Sequence, residues 1–154
     1  MAATNMLPLI PDIQQQIDNI PSITTIDPLG RVYKFDFNSN TFVIEGGKLV
    51  ELTTDIEKIE QWIHLILLTY QDKFDIYKDT EFYCNIEDFY GKKFLKMKGY
   101  YQSELINEIK TALLKHRYIQ SVDTFELTHI EKTKWKVSYK VTLIDGVIEK
   151  QEVV

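Results

Sequence analysis

Three histidines, at positions 64, 116 and 129, are the residues of this chain best suited to acid–base or metal-binding chemistry. They lie far apart in the sequence, and none belongs to an HExxH motif or to another spacing typical of a zinc site. His64 stands within an apolar helical pattern, which favours a core histidine over a metal ligand. The sequence therefore predicts no metal site and no catalytic centre built on histidine.

The single cysteine, Cys84, is the one candidate thiol nucleophile. Glu81, Glu87 and Asp88 lie close to it in the sequence, and nearby carboxylates raise the pKa of a thiol and lower its reactivity. We therefore expect a structural thiol. A single cysteine also predicts no intramolecular disulfide and no thiolate metal site, which is typical of a cytoplasmic protein.

Pairs of carboxylates such as Glu57 and Glu60 suggest a different chemistry, because glycosidases need two acids at a fixed separation. On one helix such a pair is usually a solvated face. Gly46 and Gly47 do not precede a Lys-Ser/Thr helix start, so they do not form a phosphate-binding loop. We expect no catalytic residue and no cofactor, and a cell-wall (peptidoglycan) hydrolase is kept as the alternative function.

The whole chain, with 154 residues of which 44% are hydrophobic, predicts one folded domain with a real core. Its charge is divided unequally, since residues 1–91 hold 15 acids and 6 bases while residues 92–154 hold 8 acids and 12 bases. The basic half lacks a concentrated patch, so nucleic acid is not an expected partner. No apolar run reaches the roughly 20 residues of a membrane span, and the first thirty residues contain no Lys or Arg for a signal peptide. We expect a soluble protein without a cleaved signal.

Residues 1–30 are predicted to form an extended arm. All four prolines fall within its first 28 residues, and proline both removes a backbone donor and disfavours helix in the residue before it. One short helix, from about Ile13 to Ile20, is compatible with this pattern. The arm's apolar residues suggest docking, either on its own body or on another subunit, and a terminus without contacts is the alternative.

Residues 31–154 are predicted to form a single α+β domain. Alternating apolar residues from Val32 to Leu52 indicate a small β-meander, and Thr54 with Glu57 forms a capping box that opens a first helix. Ser103 is a suitable N-cap for a second helix that ends near Lys115. Clean alternation then predicts a C-terminal three-stranded antiparallel sheet.

Five stretches of the chain, taken in order, carry a resemblance to a known family. They are FDFNSNTFVIEGGKLVEL, IEKIEQWIHLILLTYQDKFDIY, DFYG, SELINEIKTALLKHRYIQSVDTFEL and WKVSYKVTLIDG. From about residue 33 to 154 the ordered set resembles the baseplate wedge proteins of contractile phage tails and tail-derived particles. It is most similar to the branch found in PBSX-type defective prophages and related bacteriocins.

This resemblance implies a structural subunit that links the inner baseplate to the first sheath ring and templates sheath assembly. The implied partners are the tail sheath protein, other baseplate wedge proteins and the central tube or hub proteins. The family's symmetry implies six copies around the tail axis. The resemblance also implies assembly in the cytoplasm and a final location in the baseplate. The particle type, whether phage, defective prophage or bacteriocin, is left open.

The first implied contact region is the corner between the second helix and the next strand. Here the family carries a Glu-Pro-Arg triplet that contacts the wedge core, and Lys115, His116 and Arg117 stand in its place, so that only the arginine is kept. An arginine at a helix C-terminus complements the helix dipole and offers a planar fork to a neighbour's carboxylate. Simple helix capping is the alternative role of Arg117.

The second implied contact region is a strand of the C-terminal sheet, which is similar to the sheet with which sheath subunits interlock. Trp135, Val137, Tyr139 and Val141 alternate with lysines, and such a strand can accept a partner's strand at an exposed sheet edge. A self-contained sheet with ordinary surface lysines is the competing interpretation.

Overall fold

The computed structural model of the chain describes residues 28–71, 73, 75–77, 79–90, 98–131 and 134–153. Most of the predicted arm, including the short helix expected at Ile13 to Ile20, lies outside the described residues.

Four very short strands form the N-terminal part of the domain, as the alternating pattern predicted. They are β1 (Phe35–Asp36), β2 (Thr41–Phe42), β3 (Ile44–Glu45) and β4 (Lys48–Leu49). β1 pairs with β2 and β3 pairs with β4, each antiparallel. Gly46 and Gly47 turn the second pair with φ values of 57° and 78°, a conformation that side chains other than glycine rarely adopt.

Helix α1, Asp55–Leu68, begins where the capping box predicts. The Glu57 amide donates to Thr54 Oγ1 at 3.3 Å, and the Thr54 amide donates to Glu57 Oε2 at 3.2 Å. Two amides that the helix start leaves without partners are therefore satisfied. The helix buries Ile59, Ile63 and Ile66 in the core.

Helix α2, Lys98–Leu113, begins five residues earlier than predicted, so the assignment of Ser103 as its N-cap is wrong. Ser103 lies inside the helix, where its hydroxyl donates to the Gly99 carbonyl at 2.9 Å. A serine hydroxyl bonds to the carbonyl four residues back as readily as it caps a helix, which makes its sequence signal ambiguous. Two short 3-10 helices, Asp75–Tyr77 and Ile86–Phe89, lie in the aromatic segment before α2.

The C-terminal sheet consists of β5 (Ile119–Glu131), β6 (Lys134–Leu143) and β7 (Val147–Val153) in the order β5-β6-β7. Both pairings are antiparallel, and β6 is the central strand. The inner face of β6 packs with α1 and α2 around one core, which confirms the α+β class. Fully buried members of this core include Ile63, Leu105, Ile109, Leu113, Val122, Val137 and Val141. In the part of the chain that is described, no helix is long and apolar enough to cross a membrane.

Candidate partner interface

The basic corner, Lys115 to Arg117, lies on a tight connection between α2 and β5. The His116 amide donates to the Leu113 carbonyl at 3.1 Å, and the Ile119 amide donates to the His116 carbonyl at 2.9 Å. Helix end and strand start are therefore joined by hydrogen bonds as well as by the chain. The corner is a fixed feature of the surface.

Lys115 is used within the domain. Its ammonium donates to the Glu81 carbonyl at 2.7 Å and lies 4.1 Å from the centre of the Tyr83 ring. The cation thus ties the corner to the segment that precedes Cys84, through a hydrogen bond and a cation–π contact.

His116 is also held internally. Its ring lies 4.5 Å from that of Trp62, and its Nδ1 accepts the Tyr118 amide at 3.2 Å. Burial, and then the charge of Arg117, lower the pKa of His116 below its usual value. A neutral imidazole is the form that suits both the acceptor role and the packing on Trp62.

Arg117 is the exposed cation at the tip of the corner. Its guanidinium carbon lies 5.8 Å from the centre of the Tyr118 ring, and Tyr118 is itself buried. The guanidinium therefore lies near the ring of a buried neighbour, although the residue as a whole is exposed. Because Lys115 and His116 are engaged within the domain, the prediction that this corner meets a neighbour's carboxylate is kept for Arg117.

Trp135, Val137, Tyr139 and Val141 lie on the inner face of β6, where each is at most 4% exposed. They form the domain's own core, and β6 is the central strand instead of an edge. In the isolated chain these four side chains are therefore buried in the core of the domain, and their contact with a partner stays a prediction. The outward lysines of β6 occupy the opposite face of the sheet.

The edges of the C-terminal sheet belong to β5 and β7, since among the described residues each of them pairs with β6 alone. β5 is irregular: its register with β6 shifts at three places, and Thr124 within it has a φ of 55°. β7 pairs with β6 in one continuous register from Val147 to Val153. Bulges protect an edge against strand addition, so β7 is the edge better suited to receive a strand.

The hairpin fixes which groups of β7 point outward. The Leu143 amide donates to the Gly146 carbonyl at 2.7 Å, and residues of an antiparallel strand alternate between facing the partner strand and facing away. The backbone groups of Ile148, Lys150 and Glu152 consequently face β6. Those of Glu149 and Gln151 face the outer edge.

Three groups considered for catalysis, Cys84, Glu57 and Glu60, are buried or engaged in other contacts. Cys84 is buried, and burial followed by the charge of Glu108 raises the pKa of its thiol to about 12. Glu57 serves the capping box, whose Thr54 lowers the pKa of its carboxyl, and Glu60 forms an ion pair with Lys150 at 3.3 Å. In the described ranges, no group of three or more His, Cys, Asp and Glu side chains could hold a metal ion.

Comparison with protein families matches residues 31–146 to the contractile injection system sheath initiators. Among curated proteins, no match is found. The matched range begins at the β-meander, includes both helices and the basic corner, and ends in the hairpin turn before β7. It therefore spans the whole domain except its last strand. The chain belongs to the contractile injection system sheath initiator family.

Proposed function

We propose that this protein is a structural wedge subunit of a contractile-tail baseplate, which joins the inner baseplate to the first sheath ring and templates sheath assembly. Membership of the sheath initiator family supports a structural role in starting the sheath. The observation that carries the finer proposal is the regular outer edge of β7, seven residues long and paired on one side only in the described chain.

In this proposal, a strand of the first sheath subunit adds to β7. An incoming strand would hydrogen-bond with the outward backbone groups of Glu149 and Gln151, which extends the three-stranded sheet by one strand. Backbone bonds supply affinity at such an edge, and the exposed side chains beside them supply selectivity. The bulged edge of β5 disfavours the same reaction on the other side of the sheet.

Arg117 is proposed to bind the wedge core on the baseplate side. A guanidinium forms two parallel hydrogen bonds with one carboxylate, which fixes orientation as well as distance. Lys115 and His116 support the corner from within and replace the first two positions of the family's triplet. The predicted partners are therefore other wedge proteins at the corner and the sheath protein at the β7 edge, with tube or hub proteins nearby.

The remaining features are proposed from the family resemblance. Six copies would surround the tail axis, and the arm would anchor on neighbouring subunits. The protein would belong to the PBSX-type branch of the family, and the particle would be a phage, a defective prophage or a bacteriocin. The role is proposed to be non-enzymatic and located in the baseplate.

The proposal is tested by tagging the protein in its producing cell, inducing particles and isolating the tagged complexes. Mass spectrometry is expected to recover the sheath and baseplate proteins, and negative-stain imaging is expected to show contractile tails or baseplates. Recovery of the lone chain from cells that do make particles would contradict it.

A further inference from the structure

A small apolar groove, here named the Trp62 groove, lies between the first described residues, α1 and the basic corner. It has a volume of about 150 Å³. Its lining consists of Leu29, Val32, Lys58, Gln61, Trp62, Leu65 and His116. An engineered cavity of about this volume accommodates one benzene molecule, so the groove has room for about one bulky apolar side chain.

The walls of the Trp62 groove are held in place by contacts behind them. The Trp62 ring packs on His116 at 4.5 Å and on Phe82 at 5.8 Å between ring centres. The Gln61 side chain donates to the Tyr33 carbonyl at 2.9 Å and accepts the Phe35 amide at 2.8 Å. The site is therefore preformed, so binding of a side chain does not carry the free-energy cost of ordering the groove.

The position of the chain itself indicates the occupant. Leu29 lines the groove and Pro28 beside it is exposed, so the described chain begins at the rim of the groove. A fully extended chain spans at most about 3.6 Å per residue, so Ile26 can reach about 11 Å from Leu29 and Ile23 about 22 Å. Both isoleucines are therefore within reach of Trp62 and Leu65.

Charge favours the same occupant. Residues 1–27 contain Asp12, Asp18 and Asp27 and no Lys or Arg. The groove has Lys58 in its lining, and Arg117 follows its lining residue His116 in the chain. An acidic segment with apolar anchors thus suits an apolar groove whose lining includes a lysine, which in the described chain also pairs with Asp55 at 3.5 Å.

We propose that the Trp62 groove binds residues 20–27 of the chain's own arm, here named the arm root. In this proposal Ile23 or Ile26 packs against Trp62 and Leu65. A tethered segment this close to its site has an effective concentration in the millimolar range, so it occupies the groove more readily than a free peptide with the same apolar anchors. The inference concerns the isolated subunit and is independent of the role in sheath assembly. If residues 20–27 bind in the groove, residues 1–19 are attached to the domain at a defined point beside the basic corner.

The test uses Trp62 as a reporter in full-length protein carrying Trp135→Phe, since Trp62 and Trp135 are the two tryptophans of the chain. The double variant Ile23→Ser with Ile26→Ser is expected to red-shift Trp62 emission and to increase its quenching by acrylamide. The matched control, Leu9→Ser with Ile10→Ser, changes the distal arm in the same way and is expected to leave both readouts unchanged. Equal quenching in the two double variants would overturn the proposal.

A second pair of variants places the change in the groove. Leu65→Asp alters the lining, whereas Leu68→Asp alters an exposed leucine of the same helix outside it. Cleavage within residues 20–27 by a non-specific protease is expected to accelerate for Leu65→Asp and not for Leu68→Asp. Thermal unfolding of both variants verifies that they fold. If acrylamide quenching of Trp62 decreased as the protein concentration rose, the groove would bind the arm of a second copy. That result would overturn intramolecular binding.

Discussion

Three adjacent basic residues at the basic corner have three different surroundings. Lys115 reaches the Glu81 carbonyl, His116 packs on Trp62, and Arg117 is exposed near the Tyr118 ring. Sequence alone does not separate these roles, because those of Lys115 and His116 depend on residues that are distant in the chain. What the sequence does predict is that a basic cluster stands at a helix-to-strand corner.

Arg117→Ala is expected to impair assembly without unfolding the domain. The side chain is exposed, and substitutions at such positions usually change the free energy of unfolding by less than about 0.5 kcal/mol. Incorporation into baseplates should fall, because the proposed pairing with a neighbour's carboxylate is lost. The measurement is the fraction of sheathed tails in particle preparations, beside urea unfolding of the purified variant.

Arg117→Lys serves as the matched control for this prediction. Lysine keeps the positive charge but lacks the planar fork, so it should recover part of the assembly if geometry matters. Full assembly of the alanine variant would show that Arg117 only caps the helix.

Glu152 gives a prediction on pH. It lies on β7 in register with buried Val137, and burial raises the pKa of its carboxyl above the ordinary value of 4.5, although Lys150 and the Tyr139 hydroxyl oppose the shift. A raised pKa means that the folded state binds this proton more tightly than the unfolded state does. Glu152 therefore stabilises the fold at pH values below about 4.5, and this contribution is lost as the pH rises through the folded pKa.

Glu152→Gln is expected to remove this dependence. The stability of the variant relative to the wild type should increase as the pH rises from 4 to 8. Urea unfolding of both proteins at each pH measures this difference in the free energy of unfolding. His64 and His116 have lowered pKa values, so their protonation changes the free energy of unfolding below about pH 6.5. This change is the same in both proteins and cancels when their free energies of unfolding are subtracted. A pH-independent difference would contradict the prediction.

At the scale of the elements, the β7 edge is tested by Gln151→Pro. The backbone groups of Gln151 face the outer edge, so proline there removes a donor that the sheet itself does not use. Sheath addition is expected to fail while the domain remains folded. Sheath polymerisation on purified baseplates, followed by electron microscopy, measures the effect.

The control for the edge is Gln151→Thr, which changes the side chain and retains the backbone amide. It should polymerise sheath as the wild type does, because strand addition depends on backbone donors. Equal loss in both variants would indicate that the side chain of Gln151 is recognised instead.

Several elements are predictable because their signals are local. The capping box of Thr54 and Glu57 locates the start of α1, and the alternation around Val137 identifies β6. The central position of β6 is also implied by the short connections on both of its sides, since consecutive antiparallel hairpins place the middle strand in the middle of the sheet. That inference would have assigned Trp135 and its neighbours to the core.

Other features leave no local signal. The Thr124 bulge places a β-branched residue at positive φ, which sequence preference argues against. The Trp62 groove combines residues from three separate parts of the chain, from Leu29 to His116. Such features arise from tertiary packing and require coordinates.

At the scale of the whole molecule, one core connects the two proposed contact regions. Leu113 at the end of α2, Ile119 at the start of β5 and Ile148 on β7 belong to the same buried cluster. Close packing transmits displacement with little compression. The proposed baseplate contact at Arg117 and the proposed sheath contact at β7 are therefore rigidly linked.

The last prediction distinguishes this structural role from cell-wall hydrolysis. A glycosidase general acid needs a raised pKa beside an accessible substrate, whereas Glu57 has a lowered pKa in its capping box and Glu60 pairs with Lys150. The purified protein is expected to leave a suspension of cell walls turbid under conditions where a lysozyme clears it. Glu60→Gln is expected to assemble sheathed tails as the wild type does, while Arg117→Ala does not. If the wild type cleared the cell walls and Glu57→Gln or Glu60→Gln did not, the protein would instead be an enzyme. A carboxylate that serves only in a cap or an ion pair is not needed for hydrolysis, so its removal would leave clearing intact.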